Sequence, residues 1–280
     1  MTDTLTFAPF APAHLEGALR LSQEAGWPHR MEDWRLVQRI SRGVVVLDGP
    51  KVVGTALATP FGTVAMANMI IVDAAMRGRG LGRRLMDRMM AGVDVPEWRL
   101  VATEDGLPLY EKLGFAATGQ ILQHQGVIGT CAMPEDVVAA EPADLPAILT
   151  LDRQATGADR TGLLALLLAE GEIAVIRDTS GLAGFAALRD FGRGAVVGPV
   201  IARDAQQAQR LLSFFFARRA GGFLRVDTTA AAGLAPWLTA QGLAPVGGGI
   251  AMQRGGASAT SPAAASPSAT VFALAAQALG

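Results

Sequence analysis

Apolar positions along the chain alternate between two rhythms. Val44–Leu47 and Val52–Leu57 are short β-branched runs on either side of Asp48-Gly49-Pro50, which predicts a hairpin. Met66–Val72 is too continuously apolar for a strand with one wet face, so it predicts a central strand covered on both sides. Leu81, Leu85, Met86, Met89 and Met90 recur at helical spacing and form one apolar face. Leu100–Thr103 reads as another buried strand, and Leu107–Leu113 as a short helix stopped by Gly114. The same succession then returns. Ile173–Ile176, Gly184–Leu188 and Ala195–Ile201 read as strands, Asp204 to about Arg218 as a helix, and Phe223–Thr228 as a strand. Helices interleaved with strands place the chain in the α/β (α+β) class with a mixed sheet.

The return is a repeat. At an offset of 130 positions Pro12, Ala13, Leu15, Leu19 and Leu21 fall on Pro142, Ala143, Leu145, Leu149 and Leu151, and Asp48, Gly54 and Ala56 fall on Asp178, Gly184 and Ala186. A period of that size is a domain rather than a solenoid unit. The predicted organisation is a domain at 1–134, a second at 135–254, and an Ala/Ser/Pro-rich tail at 255–280. Gly255–Ser268 has little to bury. Val271–Leu279 is apolar enough for a short helix docked on the body or on a neighbouring copy, but a disordered end is the expectation.

Composition narrows the function. Lys+Arg number 24 against 25 Asp+Glu, a net charge of −1, which argues against a nucleic-acid binder held by accumulated cationic contacts. The lone Cys131 excludes an internal disulfide framework and suits a reducing compartment. No apolar run approaches the ~20 residues that span a bilayer, and Met1–Phe10 lacks the basic-then-apolar order of a secretory signal. A cytoplasmic protein without a membrane partner is expected.

The most informative segment runs from Met69 to Arg84: a buried strand, the turn Arg77-Gly78-Arg79-Gly80-Leu81-Gly82, then an amphipathic helix. Such a turn aims backbone N–H groups and the positive end of the helix dipole at one point, a site for phosphate oxygens. Gly78, Gly80 and Gly82 permit close approach, and Arg77, Arg79, Arg83 and Arg84 add charge. A tight turn with a solvated basic face is the plain alternative. The spacing fits neither the nucleoside-triphosphate loop nor the dinucleotide fingerprint. It matches Arg/Gln-x-x-Gly-x-Gly/Ala, here Arg77-x-x-Gly80-x-Gly82, and on it the sequence resembles the GCN5-related N-acetyltransferases.

That resemblance implies two tandem domains of this type, each a mixed, mostly antiparallel twisted sheet flanked by helices, with acetyl-CoA as co-substrate and no metal. It implies that acyl-CoA pyrophosphate sits on residues 77–83, Leu81 included, and that backbone near Ile71, Val72 and Asp73 runs beside the pantetheine arm. Leu109-Tyr110-Glu111-Lys112-Leu113-Gly114-Phe115 looks like the family's helix-to-strand motif, whose tyrosine lies near the CoA sulfur; Tyr110, the only tyrosine, would protonate the departing thiolate. Thr103 stands where many relatives carry Asn. With Gly26-Trp27-Pro28-His29-Arg30, Gly157-Ala158-Asp159-Arg160 and Gly198-Pro199, the chain resembles a narrower bacterial tandem group with a divergent YitH/HolE-type C-terminal domain.

The second half departs from the motif. Arg203-Asp204-Ala205-Gln206-Gln207-Ala208 replaces the glycine turn and Leu238 the tyrosine, so a conventional CoA site is not expected there. This half could instead complete the acceptor pocket or a dimer surface. Ala65-Met66-Ala67-Asn68-Met69 offers no acid where relatives often place a base. His29, Glu104 and Asp105 are the candidates, with Trp27 and Trp34 walling the acceptor pocket beside His29, and Asp159 and Arg160 either binding acceptor or serving as a helix cap and an ion pair. The expected reaction is direct attack of a small primary amine on the thioester. Two alternatives stay open: a non-catalytic protein that binds acyl-CoA or amine, and a transferase of another acyl group.

Overall fold

The computed structural model describes residues 5–179, 181–256 and 269–280. The first half runs β1 (Leu5–Pro9), α1 (Leu15–Glu24), α2 (Met31–Ile40), β2 (Arg42–Asp48), β3 (Lys51–Phe61), β4 (Val64–Val72), α3 (Leu81–Ala91), β5 (Glu97–Ala102), α4 (Leu107–Lys112) and β6 (Ala116–Val127). The second runs β7 (Val137–Ala139), α5 (Leu145–Thr156), α6 (Thr161–Glu170), β8 (Glu172–Asp178), β9 (Gly181–Phe191), β10 (Gly194–Ala202), α7 (Ala205–Arg218), β11 (Phe223–Thr229), α8 (Ala235–Ala240) and β12 (Ala244–Gly255), followed by β13 (Thr270–Ala273). Strands β2, β3 and β4 begin at Arg42, Lys51 and Val64, and β8, β9 and β10 at Glu172, Gly181 and Gly194, a constant step of 130 residues. The duplication legible in the sequence is a duplication of elements.

Local rules account for the pieces that position the site. Helix α3 buries Leu81, Leu85, Met86 and Met89 on one stripe, and that stripe lies on β2, β3 and β4. The Asp48-Gly49-Pro50 signal closes the β2–β3 hairpin with Gly49 at φ +57°. Strand β4 is buried along nearly its whole length, as its apolar run predicts. Helix α7 starts at Asp204, whose side chain accepts from the Gln207 N–H at 2.8 Å.

All thirteen described strands form one sheet in the order β1-β2-β3-β4-β5-β12-β6-β11-β13-β10-β9-β8-β7. The last strand of each half has crossed into the other. β12 pairs antiparallel with β5, from Ile250 opposite Ala102 to Gly255 opposite Glu97, and β6 pairs with β11, from Phe223 opposite Val127 to Thr229 opposite Ile121. β6 and β12 also pair with each other at the centre. Each exchanged strand thereby covers what would otherwise be an open edge of the other half, β12 on β5 and β6 on β11. A shared core joins the halves further: Trp34, Leu57 and Phe61 belong to the same apolar cluster as Ile148, Leu163 and Phe185. The sequence boundary near 134 therefore divides the repeat but not the sheet.

The C-terminal residues differ from the disordered end expected for them. Residues 257–268 of the predicted flexible stretch lie outside the described residues, but Thr270–Ala273 is a strand between β10 and β11, and Ala269, Phe272, Ala273 and Ala275 are buried. The reason is a gap in the sheet. β10 and β11 run parallel only at Ala195–Leu224 and Val196–Arg225, then diverge past Gly198-Pro199, and the C-terminal segment fills the opening. Thr228 Oγ1 donates to the Phe272 carbonyl at 2.7 Å and the Leu274 N–H to the Asp227 carbonyl at 2.9 Å. A Cβ on Gly198 would sit 1.9 Å from the Leu274 carbonyl oxygen, so only glycine allows this approach. Phe272→Ala is expected to cost about 3–5 kcal/mol and lower Tm by of the order of 10 °C; a peripheral tail would leave the thermal melt unmoved.

Candidate functional site

In the first half the equivalent gap is open. β4 and β5 pair in parallel only from Val64 opposite Glu97 to Met66 opposite Arg99, and then separate. At the parting β4 bulges: Thr55 faces Ile71 and Leu57 faces Asn68, so Met69 and Ile70 together oppose Ala56. Met69 takes φ +49° there, and its carbonyl accepts from Thr55 Oγ1 at 2.7 Å. The bulge turns Asn68–Ile70 into the cleft, which they line.

The glycine turn stands at the end of β4. Gly78 and Gly80 have φ +75° and +71°, and a Cβ built on either meets nothing within 4 Å. Gly80 precedes α3 without any side-chain cap, and the first helical bond is from the Arg84 N–H to the Gly80 carbonyl. Among the described residues the N–H groups of Gly78, Gly80, Leu81, Gly82 and Arg83 have no protein acceptor outside the helix. These donors, with the helix dipole behind them, suit an anion. Arg77 and Arg83 are exposed beside them, Arg79 contacts Met76 Sδ at 3.2 Å, and Arg84 lies over the Phe7 ring.

Asp73 has another task. Its N–H donates to the Val53 carbonyl, its Oδ1 accepts from the Ala75 N–H, and its Oδ2 pairs with Lys51 Nζ at 2.9 Å. The Lys51 contact holds its carboxyl below the ordinary value. The Asp73 side chain thus anchors the strand end, while Ile71 is buried opposite Thr55 and Val72 is half-buried.

At the floor of the cleft lies a cavity of about 490 Å³. Tyr110 lines it. Its ring packs edge-on to Phe115, and burial pushes its phenol up to about 12. The hydroxyl makes no hydrogen bond among the described residues, yet it is not sealed from the cavity. Gly106 makes room for the ring: a Cβ there would stand 2.8 Å from Tyr110 Cε2. Asn68 gives its amide N–H to Thr59 Oγ1 at 2.8 Å, leaving its buried Oδ1 without a partner.

Trp27 and His29 also line the cavity. His29 packs edge-on against Trp27, Trp34 and Phe191, and burial, aided by the Arg225 and Arg189 charges, lowers it to about 4. It is neutral near pH 7 and too weak to be the base expected of it. Trp34 does not wall the pocket; it is fully buried in the core and donates its Nε1–H to Ser22 Oγ at 3.0 Å. Glu104 and Asp105 are exposed in the β5–α4 connection and do not line the cavity.

Asp159 and Arg160 take the second of the two roles open to them, a helix cap and an ion pair. Asp159 accepts from Thr161 and pairs with Arg153, and its N–H donates to the Phe61 carbonyl. Arg160 makes a buried two-bond pair with Asp152 and reaches the Gly280 carbonyl. The Asp159 N–H docks the second half on the β3–β4 turn, and Arg160 ties α5 to Gly280. One repeat earlier, Asp33 is reached by Arg30, Arg189 and the Gly192 N–H, docking the first half on the β9–β10 turn. Burial pulls Asp33 up, but the bonds from Arg30 and Gly192 outweigh it and hold it below the usual carboxylate range.

The far wall of the cavity was missed by the sequence. It comes from the exchanged strands and the second half: Gln123 and Gln125 on β6, Val246–Gly248 on β12, Arg225 on β11, Arg193 in the β9–β10 turn, and Gln277. Gln123 and Gln125 share a face at a spacing of two, a signal available in the sequence. Nothing local marks Gln277, which donates to Gln123 Oε1 at 3.2 Å and Asp227 Oδ1 at 3.1 Å. Among the described residues no cluster of His, Cys, Asp or Glu could hold a metal, and no helix is long and apolar enough to cross a membrane.

The second half lacks these features. Asp204 occupies its helix start and β13 its gap.

Comparison with known proteins agrees with this geometry. Two acetyltransferase (GNAT) domain families match, one over residues 39–117 and the other over 148–265. The N-acetyltransferase YitH of Bacillus subtilis (strain 168), itself uncharacterized, is 29% identical over 223 residues, covering 76% of this chain and 78% of the relative. An acetyltransferase candidate from Pyrococcus horikoshii superimposes with a TM-score of 0.82 at 18% identity, over 100% of this chain and 97% of its own. A tandem GNAT protein from the clavulanic acid biosynthesis pathway gives 0.63 at 15% identity, over 91% and 99%. Gly106→Ala is expected to displace the Tyr110 ring and destabilise the protein by about 1–3 kcal/mol in denaturant titration; an unchanged midpoint would mean the ring has room to spare.

Proposed function

The chain belongs to the GNAT acetyltransferases as a tandem of two such domains, and from that premise we propose that the first half is the catalytic one, moving an acetyl group from acetyl-CoA to a primary amine of a small molecule. The observation that carries this reading is that the bulge of β4 lines the cavity with Tyr110 where β4 and β5 part, while the same strand leads on to the open turn at 78–83, whose Gly82 lies against Leu109, the neighbour of Tyr110. The free N–H groups of Gly78, Gly80, Leu81, Gly82 and Arg83 would hold the diphosphate, with Arg77 and Arg83 beside it, and the bulged part of β4 would face the pantetheine arm. Acetyl-CoA supplies an acyl group activated as a thioester.

The chain's residues then divide the work. Asn68 Oδ1 accepts a hydrogen bond from the amine's N–H. The neutral amine forms the C–N bond as the C–S bond breaks, and its surplus proton passes to water, since His29 at about 4 cannot take it. Tyr110 faces the departing sulfur. With its phenol near 12, handing a proton to a thiolate whose acid has a pKa of about 8.5 is uphill by about 5 kcal/mol. Its hydroxyl therefore acts chiefly as a hydrogen-bond donor to the developing thiolate, and the thiolate's proton comes from solvent.

Two substitutions test the halves of this mechanism. Gly80→Asp puts a carboxylate and a strained φ where the diphosphate would lie, and calorimetric titration is expected to show acetyl-CoA affinity lost by a factor of 100 or more; unchanged affinity would overturn the binding site. Tyr110→Phe is expected to lower kcat by about 10–100-fold, the worth of one such hydrogen bond, with acetyl-CoA affinity unchanged. Thiol release over an amine panel reads it, and a silent variant would remove Tyr110 from the mechanism.

A further inference from the structure

The acceptor side of the cavity carries a charge imbalance that a simple amine does not explain. Arg225 uses its Nε–H on Asp227, at 3.0 and 3.1 Å, and neither of its terminal amino groups has a protein partner among the described residues. Its guanidinium lies over the Phe191 ring, 5.1 Å from the centroid. Arg193 makes no hydrogen bond or ion pair among the described residues, and its guanidinium rests over the Phe223 ring at 5.1 Å. Both line the cavity, whereas no Asp or Glu among the described residues does. Behind them Arg189, 5% exposed, leaves its Nε–H unpaired in a small adjoining cavity lined also by His29 and Arg225.

Aromatic faces hold the two guanidiniums in place while their N–H edges stay free. Preset, unspent arginine donors are what a planar or tetrahedral oxyanion requires. A polyamine or a lone alkylammonium would instead meet two guanidiniums in a lining without Asp or Glu, the one paired carboxylate, Asp227, standing behind Arg225. Asn68 lines the same cavity, and its buried Oδ1 has no partner.

Resting on the acetyltransferase reading above, we infer that the acceptor is a small amine that also carries an anionic group, a carboxylate or a phosphate, bound by Arg193 and Arg225 while Asn68 receives its amine. The acceptor is thus amino-acid-like or phosphoamine-like, and its anion is recognised by the second half.

The test is calorimetric titration of the full chain with matched pairs: the common amino acids against their decarboxylated amines, and phosphoethanolamine against ethanolamine. At least one anionic member is expected to bind tenfold or more tightly than its partner, the amino-acid and phosphate arms telling the two anions apart. Arg193→Gln, at an exposed position, and Arg225→Gln are each expected to erase that preference to within twofold, and Arg193→Lys to restore part of it. Amines binding as well as their anionic partners, a preference that survives both Gln substitutions, or no binding by any anionic member would overturn the inference. Acetyl-CoA is titrated in the same series. Loss of its binding in the unmodified chain would overturn the transferase reading instead, so the two failures are distinct.

Discussion

The pairing of β6 with β12 at the centre of the sheet is the constraint on which everything else rests. Each of these strands follows the short helix of its own half and then lies against the other half's parallel strand, β12 on β5 and β6 on β11. Both edges are saturated at once, and two repeated units become one sheet over a shared apolar core. The loop-to-turn contacts at Asp33–Gly192 and Asp159–Phe61 repeat the same logic at the periphery. The first buries the Asp33 carboxylate, whose removal from water is tolerable because Arg30, Arg189 and the Gly192 N–H all meet it.

Duplication created two equivalent gaps, and their contents have diverged. Both open where two parallel strands part after two or three residue pairs, and both have an irregular strand at the parting, at Asn68–Ile70 and at Gly198-Pro199. In the first half, glycines leave the helix start uncapped and its donors free. In the second, the Asp204 carboxylate caps the helix start by accepting from the Gln207 N–H, and Thr270–Ala273 inserts as a strand. A helix start satisfied by its own side chain and a gap satisfied by backbone have nothing left to offer a diphosphate or a pantetheine. What the second half retains is a wall, which it lends to the first half's cavity.

That wall shows why the site is a property of the whole chain. Tyr110 and Asn68 come from the first half, Arg193 and Arg225 from the second, Gln123 from an exchanged strand and Gln277 from the C-terminal segment. The cavity thus has one side from the repeated β4–β5 cleft and the other from residues that have no counterpart there.

Much was legible in order of residues alone. The hairpin at Asp48-Gly49-Pro50, the buried β4, the stripe of α3 and the glycine turn are local patterns, set by side-chain periodicity and by glycine's freedom at positive φ, and they appear where the sequence puts them. The 130-residue repeat is equally a matter of order. Tertiary structure alone decided that Trp34 is core rather than pocket wall, that Asp159 meets the Phe61 carbonyl of the other half while Arg160 pairs with Asp152, and that Thr270–Ala273 enters the sheet. It also decided that Arg193, Arg225 and Gln277 meet. Periodicity specifies which face of a strand or helix is apolar, but not which strand comes to lie beside which, and both the filled gap and the far wall of the cavity are consequences of that neighbourhood.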